Sequence, residues 1–293
     1  AWLPRWIYVK ERLLDFELPL WNPYMAGGQP ALPLLQDSYI SPSFLLFLLF
    51  EDGLGFTLGL LARLWIAGIG TYLLCRLSFG IAPSLLGAVT FMLCGFNLSW
   101  LMWPQVATSC WIPWVLWALV RLLQKINARR VAVLSVAVAL MLFGGFPAVA
   151  GYTLYLAALL AIWVSLTVRE VPIIRAGAVV AGAVSLGFLL TSLQMLPIIE
   201  YLSQVDLSWR QAGWLPFDKI VFLLLPFYKG YEPHPEIIGY VGWTAMLLAP
   251  FALLQRRWRG AFSGFFWASI CLLSLMLIYG QPWPLVELVF KLP

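Results

Sequence analysis

The sequence predicts an all-α protein, a polytopic bundle of transmembrane helices with two long loops on one side. Three observations carry this prediction: 62% of the 293 residues are hydrophobic, only 11% are charged, and the mean hydropathy is +0.88. A soluble domain carries about 25% charged residues. A soluble fold of this length has too little interior to bury so much apolar surface, so the chain is expected to be an integral membrane protein.

Eight apolar segments approach the ~20 residues that a helix needs to cross a bilayer. They are 55–75, 82–102, 106–123, 131–145, 148–167, 176–196, 237–254 and 262–279. The chain then divides into a first outward loop with interfacial helices (1–53), a six-span bundle (54–196), a second outward loop (197–236) and further transmembrane helices (237–293). Since the sequence opens without a signal peptide and ends abruptly, we expect a part of a longer protein.

The first loop contains two apolar pieces that are too short to span. Residues 7–16 predict a short amphipathic helix on the membrane surface, and residues 42–50 predict an interfacial or dipping segment. Between them, prolines and glycines from Pro19 to Pro33 argue against regular structure.

Charge asymmetry orients the bundle. The loops after the first, third, fifth and seventh segments, together with Arg121 at the end of the third segment, hold ten of the 18 basic residues and a single acid, Glu170. Loops rich in Lys and Arg stay on the cytoplasmic side, so both long loops are predicted to face outward. The net charge of +5 follows from these loops and is not taken as a sign of nucleic-acid binding.

Asp37 and Arg63 are the first candidates for chemistry. Asp37 follows the Pro/Gly-rich stretch, where a carboxylate can act as a general base or hold a divalent cation; the alternative is a solvated or capping acid. Arg63 is the only basic residue in the middle of a predicted span, roughly 16 Å along the helix from Asp52. It could hold a phosphate with its guanidinium, or pair with an acid of another span.

The remaining candidates lie in the two outward loops. Glu200, after Pro197, is a second candidate catalytic acid because the proline is expected to loosen the helix end and redirect the carboxylate. His234, in YEPHPE, could bind substrate or move protons; a Pro-stiffened turn is the alternative. Trp21 and Tyr24 could stack on a sugar ring, or belong to an interfacial aromatic belt. Asn22 and Gln36 complete the set of candidate substrate-binding residues.

The stretch LPLWNPYMAGGQP (18–30) resembles the first outer loop of the YfhO-type bacterial membrane proteins, which belong to the GT-C superfamily of glycosyltransferases. Further similar segments follow in the same order and cover almost the whole chain. They include LARLWIAGIGTYLL, GGFPAVAGYTLYL, LQMLPIIEYL and YVGWTAMLLAPFALL. The resemblance implies a multi-pass protein of the bacterial cytoplasmic membrane that transfers a sugar from a polyprenyl-phosphate carrier to an acceptor on the outer side.

The same resemblance implies two departures from the family pattern. Such enzymes supply a catalytic Asp close to the first span, and that position is expected before Ala1, which leaves Asp37 in a supporting or metal-binding role. The family carries His at the positions held here by Arg63, Trp103 and Phe146, so the chemistry or the acceptor is expected to differ, or the activity to be lost.

Two other functions stay open at the level of sequence. A non-catalytic subunit of a larger membrane complex would keep this fold and associate with other membrane subunits. A transporter would show paired charges at the bilayer midplane and inverted repeats, of which the sequence offers only Arg63. The sequence identifies no cofactor; a divalent cation is a candidate. The expected partners are membrane lipids and the lipid-linked sugar, without nucleic acid.

Overall fold

The computed structural model describes residues 3–25, 27–31, 37–168, 172–204, 215–225, 239–254 and 260–279. This part of the chain is mostly helical, as the composition predicts. Five helices are long and apolar enough to cross a membrane: Asp52–Arg76, Ile81–Ser99, Pro104–Gln124, Pro147–Val168 and Ile173–Leu190. Together they indicate a multi-pass membrane protein.

The elements follow one another with short connections. The α-helices are α1 (Leu3–Leu14), α2 (Pro42–Leu49), α3 (Asp52–Arg76), α4 (Ile81–Met92), α5 (Gly95–Ser99), α6 (Pro104–Ser109), α7 (Ile112–Gln124), α8 (Ala128–Phe143), α9 (Pro147–Val168), α10 (Ile173–Leu190), α11 (Ser192–Gln204), α12 (Val221–Leu224), α13 (Trp243–Leu248) and α14 (Gly264–Ile278). Two 3₁₀-helices, Phe217–Ile220 and Ala249–Leu254, precede α12 and follow α13. The strands β1 (Trp21–Asn22) and β2 (Gln29–Pro30) pair antiparallel.

The predicted count of eight spans is not confirmed. The predicted segment 131–145 is α8, which has 16 residues, and the segment 262–279 contains α14, which has 15. Both are shorter than the ~20 residues of a typical span. Two of the five long helical segments are also interrupted, between α4 and α5 and between α6 and α7.

The segment formed by α6 and α7 is the centre of the bundle. In its most apolar window 78% of the residues are buried inside the protein, against 22–39% in the other four candidate spans. Val115, Leu119 and Leu122 of α7 are fully buried and belong to one core with Leu134 and Val138 of α8. The outer helices therefore surround α7 and keep apolar faces for lipid.

The short helix α2 lies alongside the first turns of α3 in the opposite direction. Gly55 of α3 lies against Phe47, and Gly59 lies against Ser43. A Cβ at Gly59 would lie 2.6 Å from the Ser43 carbonyl oxygen, so only glycine permits this approach. Small residues at such crossings are typical of helix packing in membranes. The prediction that 42–50 is too short to span is confirmed.

Two local predictions were partly wrong. The amphipathic helix expected at 7–16 begins earlier, at Leu3, and its Trp6 and Val9 are buried in the protein. The Pro/Gly-rich stretch contains the β1–β2 hairpin, with Asn22 opposite Gln29. Strands of two residues are too short to leave a pattern in a sequence.

The end of the sixth predicted span also differs. We expected Pro197 to loosen the helix there, but the break falls at Thr191, where α10 ends. Pro197 lies inside α11. Pro197 lies beyond the first turn of α11, so it removes the bond that an amide there would donate to the carbonyl of Leu193; α11 nevertheless continues to Gln204.

The close α2–α3 crossing yields a stability prediction. Gly59→Ala should lower the free energy of unfolding by ~1–3 kcal/mol because the methyl group displaces the α2 backbone. Gly182→Ala, in α10, has no atom within 4 Å of the added Cβ and should be neutral or slightly stabilising. Thermal unfolding of both variants in the same detergent measures the difference; equal midpoints would contradict the close crossing.

Candidate functional site

Three interruptions of helical structure meet at the end of the bundle that is predicted to face outward. They are the α5–α6 connection, the α8–α9 turn and residues 37–43, which we call the inserted segment. The Ser38 hydroxyl donates to the carbonyl of Gly144 in the α8–α9 turn, at 2.6 Å. The amide of Phe146 donates to Thr108 Oγ1 of α6, at 3.0 Å. Residues far apart in sequence are therefore bound together at one end.

Arg63 lies at the base of this region and is only 2% exposed. Its Nη1 donates to the carbonyl oxygens of Leu101 and Trp103, at 2.9 and 3.0 Å. Its Nε donates to Ser43 Oγ at 3.3 Å, and the guanidinium lies 5.6 Å from the ring centroid of Trp6. The inserted segment, α1 and the α5–α6 connection thus all contribute to the environment of one cation.

The charge of Arg63 is not neutralised by the described part of the chain. No carboxylate of the described residues lies within 4.0 Å of the Arg63 guanidinium, the distance that defines an ion pair. Nor does any described residue offer a hydrogen-bond acceptor to Nη2, the remaining guanidinium nitrogen. The ion pair that the sequence left open for Arg63 is therefore not found among the described residues. Carbonyl dipoles hold the cation in place and leave one nitrogen for another acceptor.

Asp37 has a different environment from the one predicted for a general base. It is 2% exposed, and its Oδ1 accepts from Arg5 Nη1 at 2.9 Å. Its Oδ2 accepts from the Tyr39 hydroxyl at 2.6 Å, and its backbone carbonyl accepts from Trp6 Nε1 at 2.9 Å. Every polar group of Asp37 that can accept a hydrogen bond does so. This arrangement favours a structural role, in which Asp37 fastens the inserted segment to α1.

Burial dominates the protonation behaviour of this pair. It raises the pKa of the Asp37 carboxyl above its ordinary value of 3.8, and the hydrogen bonds from Tyr39 and Arg5 offset part of this increase. The pKa of Tyr39 is raised as well, first by burial and then by the neighbouring carboxylate. Tyr39 therefore stays protonated and keeps donating to Asp37.

Glu200 is the candidate acid that remains accessible. It lies on α11, three residues after Pro197, and is exposed. Its backbone carbonyl accepts from the Ser203 hydroxyl at 2.6 Å. An exposed carboxylate can reach a water-soluble acceptor, which the buried Asp37 cannot do without a rearrangement.

The aromatic candidates lie in the β1–β2 hairpin. Trp21 is 54% and Tyr24 81% exposed, whereas Asn22 is only 4% exposed. Asn22 Oδ1 accepts from the Tyr24 amide at 3.0 Å, so this side chain stabilises the turn instead of facing a ligand. Gln36 and His234 lie outside the described residues.

Sequence reasoning missed Arg5, Trp6 and Ser43. Arg5 pairs with an acid 32 positions later, and Ser43 reaches Arg63 across 20 positions. Only Trp6, on the apolar side of an amphipathic helix, carried a signal, since such a position predicts burial. The described residues hold no group of three or more His, Cys, Asp or Glu that could bind a metal ion. No family model, curated protein or solved structure matches this chain.

The raised pKa of Asp37 predicts a pH dependence of stability. Between pH 3.8 and the higher pKa of the folded state, the folded protein holds a proton that the unfolded chain has released. The free energy of unfolding should therefore fall as the pH rises through this window. Asp37→Asn removes this contribution, so the stability of the wild type relative to the variant should decrease from about pH 4 towards neutrality.

Thermal unfolding at a series of pH values measures this effect. Asp15→Asn, which changes an exposed acid of the same outward loop, is the matched control and should follow the wild type. A difference between wild type and Asp37→Asn that does not change with pH would show that burial leaves the carboxyl unaffected.

Proposed function

We propose that this protein is a membrane glycosyltransferase of the GT-C type, in which Arg63 binds the phosphate of a polyprenyl-phosphate sugar. The observation that carries the proposal is the buried guanidinium with one nitrogen unpartnered and no carboxylate nearby in the described chain. A cation inside a transmembrane segment is costly and marks a site of function or a charged partner. The proposal supplies that partner as an anion carried by a lipid.

The position of Arg63 favours a lipid phosphate over a soluble anion. Arg63 lies eleven residues into α3, or roughly 16 Å along the helix at 1.5 Å per residue. An anion whose tail lies in the bilayer can reach this depth from the side, without crossing the apolar region alone. The planar guanidinium suits phosphate oxygens, and a hydrogen bond between charged groups is about twice as strong as a neutral one.

In this proposal Glu200 is the general base and Asp37 supports the site. Transfer needs a carboxylate that can take a proton from the acceptor hydroxyl as the carrier phosphate leaves. Glu200 is exposed, whereas Asp37 is enclosed by Arg5 and Tyr39. Asp37 holds the inserted segment, which brings Ser43 to Arg63.

A second function, that of a non-catalytic subunit in a larger membrane complex, is favoured by one observation. Asp37, the acid in the loop that resembles a catalytic loop, is occupied by structural contacts on both oxygens. A protein that kept the fold but lost the reaction would tolerate such an arrangement.

Binding of a prenyl phosphate tests the role of Arg63. In lipid nanodiscs, the wild type should bind farnesyl phosphate more tightly than farnesol. Arg63→Met should weaken farnesyl phosphate binding about tenfold or more, since a hydrogen bond to a charged group contributes ~1.5–3 kcal/mol, and leave farnesol binding unchanged. Arg63→Lys should bind farnesyl phosphate with an affinity between those of the wild type and Arg63→Met, because lysine keeps the charge and lacks the planar guanidinium.

Arg76→Met is the matched control, since Arg76 ends the same helix on the opposite side and is exposed. It should bind farnesyl phosphate like the wild type. A wild type that does not distinguish farnesyl phosphate from farnesol would refute the proposal.

Release of the carrier separates the two functions. With lipid-linked sugars extracted from bacterial membranes as donors, Glu200→Gln should abolish release of free polyprenyl phosphate, while Asp37→Asn should retain it after correction for the amount of folded protein. Loss of release in Asp37→Asn alone would instead make Asp37 the base. No release by the wild type, together with intact prenyl-phosphate binding, would favour the subunit.

A further inference from the structure

The exposed aromatic residues of the hairpin lie on the opposite side of α1 from Arg63. Trp6 packs over the Arg63 guanidinium. Tyr8 donates to the Trp21 carbonyl at 2.7 Å, and its ring lies 5.7 Å from that of Tyr24. Two positions along a helix correspond to a rotation of about 200°. The width of α1 therefore separates Trp21 and Tyr24 from the cation, and they cannot cover a sugar whose phosphate is bound at Arg63.

One side of the Trp21 ring packs against the backbone of the hairpin. Gly28, which directly precedes β2, has φ +109°, and a Cβ there would lie 2.7 Å from Cζ2 of the Trp21 ring. One side of the Trp21 ring therefore lies against Gly28, and any other residue at position 28 would displace the ring. The ring is nevertheless 54% exposed. A ring supported on one side loses less conformational entropy when a ligand stacks on its other side.

A charged pair lies beside Tyr8, the residue that contacts both Trp21 and Tyr24. The guanidinium of Arg12 lies 5.5 Å from the ring centroid of Tyr8 and pairs with the carboxylate of Glu17. Both side chains of the pair are more than one third exposed. Trp21, Tyr24, Arg12 and Glu17, which we call the aromatic platform, thus combine accessible rings with a hydrogen-bond donor and an acceptor.

The platform lies beyond the membrane-spanning part of α3. Trp6 is level with Gly59 of α3, and Lys10 pairs with Asp52 at the first residue of that helix. Helix α1 therefore leads away from the span, and Arg12 lies further along it. This placement argues against a lipid ligand. A pyranose ring fits the platform better, because it offers an apolar C–H face to an aromatic ring and hydroxyl groups to a charged rim.

We propose that the aromatic platform is a saccharide-binding subsite, separate from Arg63, that holds the acceptor glycan. Its identity as a saccharide site rests on the platform itself, while its role for the acceptor rests on the proposed function. The phosphate of the donor and the acceptor chain would then approach from opposite sides of α1.

Calorimetric titration of the detergent-solubilised protein with cellotetraose, chitotetraose and maltotetraose tests the subsite. The wild type should bind at least one of them. Tyr24→Ala and Trp21→Ala should each weaken that binding about tenfold, because each truncation removes both the stacked ring and the apolar area that the ring covers. Arg63→Met should bind the same saccharide like the wild type.

A glycine pair gives a matched control that keeps both aromatic side chains in the sequence. Gly28→Ala should displace the Trp21 ring and weaken saccharide binding. Gly27→Ala has a similar backbone penalty, at φ +76°, but no atom within 4 Å of its Cβ, and should bind more tightly than Gly28→Ala. Trp65→Leu, an exposed Trp of α3, should have no effect.

Each outcome bears on one of the two proposals. Binding of none of the three saccharides by the wild type, or unchanged binding by Tyr24→Ala and Trp21→Ala, would overturn the subsite. Equal loss in a folded Arg63→Met would show a single continuous site. Saccharide binding without any binding of farnesyl phosphate would keep the subsite and refute the proposed function.

Discussion

The burial of the Arg63 charge is the constraint on which the rest of this region depends. Moving a guanidinium out of water costs several kcal/mol even after the protein relaxes, so acceptors must surround it. Within a span, the helical carbonyls already accept hydrogen bonds from backbone amides and are not available to a buried side chain. Only the end of a helix can supply them. The carbonyls of Leu101 and Trp103 come from the connection between α5 and α6, so the interruption of this segment and the buried cation require each other.

Stabilising that interruption involves several elements from the same end of the bundle. The inserted segment brings Ser43 to Arg63 and Ser38 to the α8–α9 turn. The amide of Phe146 in that turn donates a hydrogen bond to Thr108 of α6. Gly144 makes this possible because a Cβ there would lie 2.5 Å from the α6 backbone. Each irregular segment supplies the polar partners that another one lacks, which is how non-helical backbone is tolerated at the depth of a membrane.

The sequence predicted the parts of this structure that depend on composition and on single residues. Long apolar runs predicted most of the helices, and an isolated charge within one of them identified Arg63 as exceptional. The partners of Arg63 could not be predicted, because two of them are backbone carbonyls, which no residue type encodes. Asp37 was recognised as an acid at a boundary, but its partner Arg5 lies 32 positions away, and only the packing of α1 brings them together. The hairpin was missed for a related reason: its pairing depends on a turn and not on periodicity.

The two arginines beside Trp6 are compensated in different ways among the described residues. Trp6 contacts both environments, since its Nε1 donates to the Asp37 carbonyl and its ring lies against Arg63. One cation, Arg5, is neutralised by Asp37, and it is the more exposed of the two. Arg63, which is buried more deeply, contacts only neutral hydrogen-bond acceptors and the Trp6 ring among the described residues. If stability were the sole requirement, pairing the carboxylate with Arg63 instead of Arg5 would cost less free energy. An apolar residue at position 63 would also cost less, because replacing buried charges by apolar groups is often neutral or stabilising. An uncompensated charge at this depth is the arrangement expected when the compensating charge arrives with a ligand.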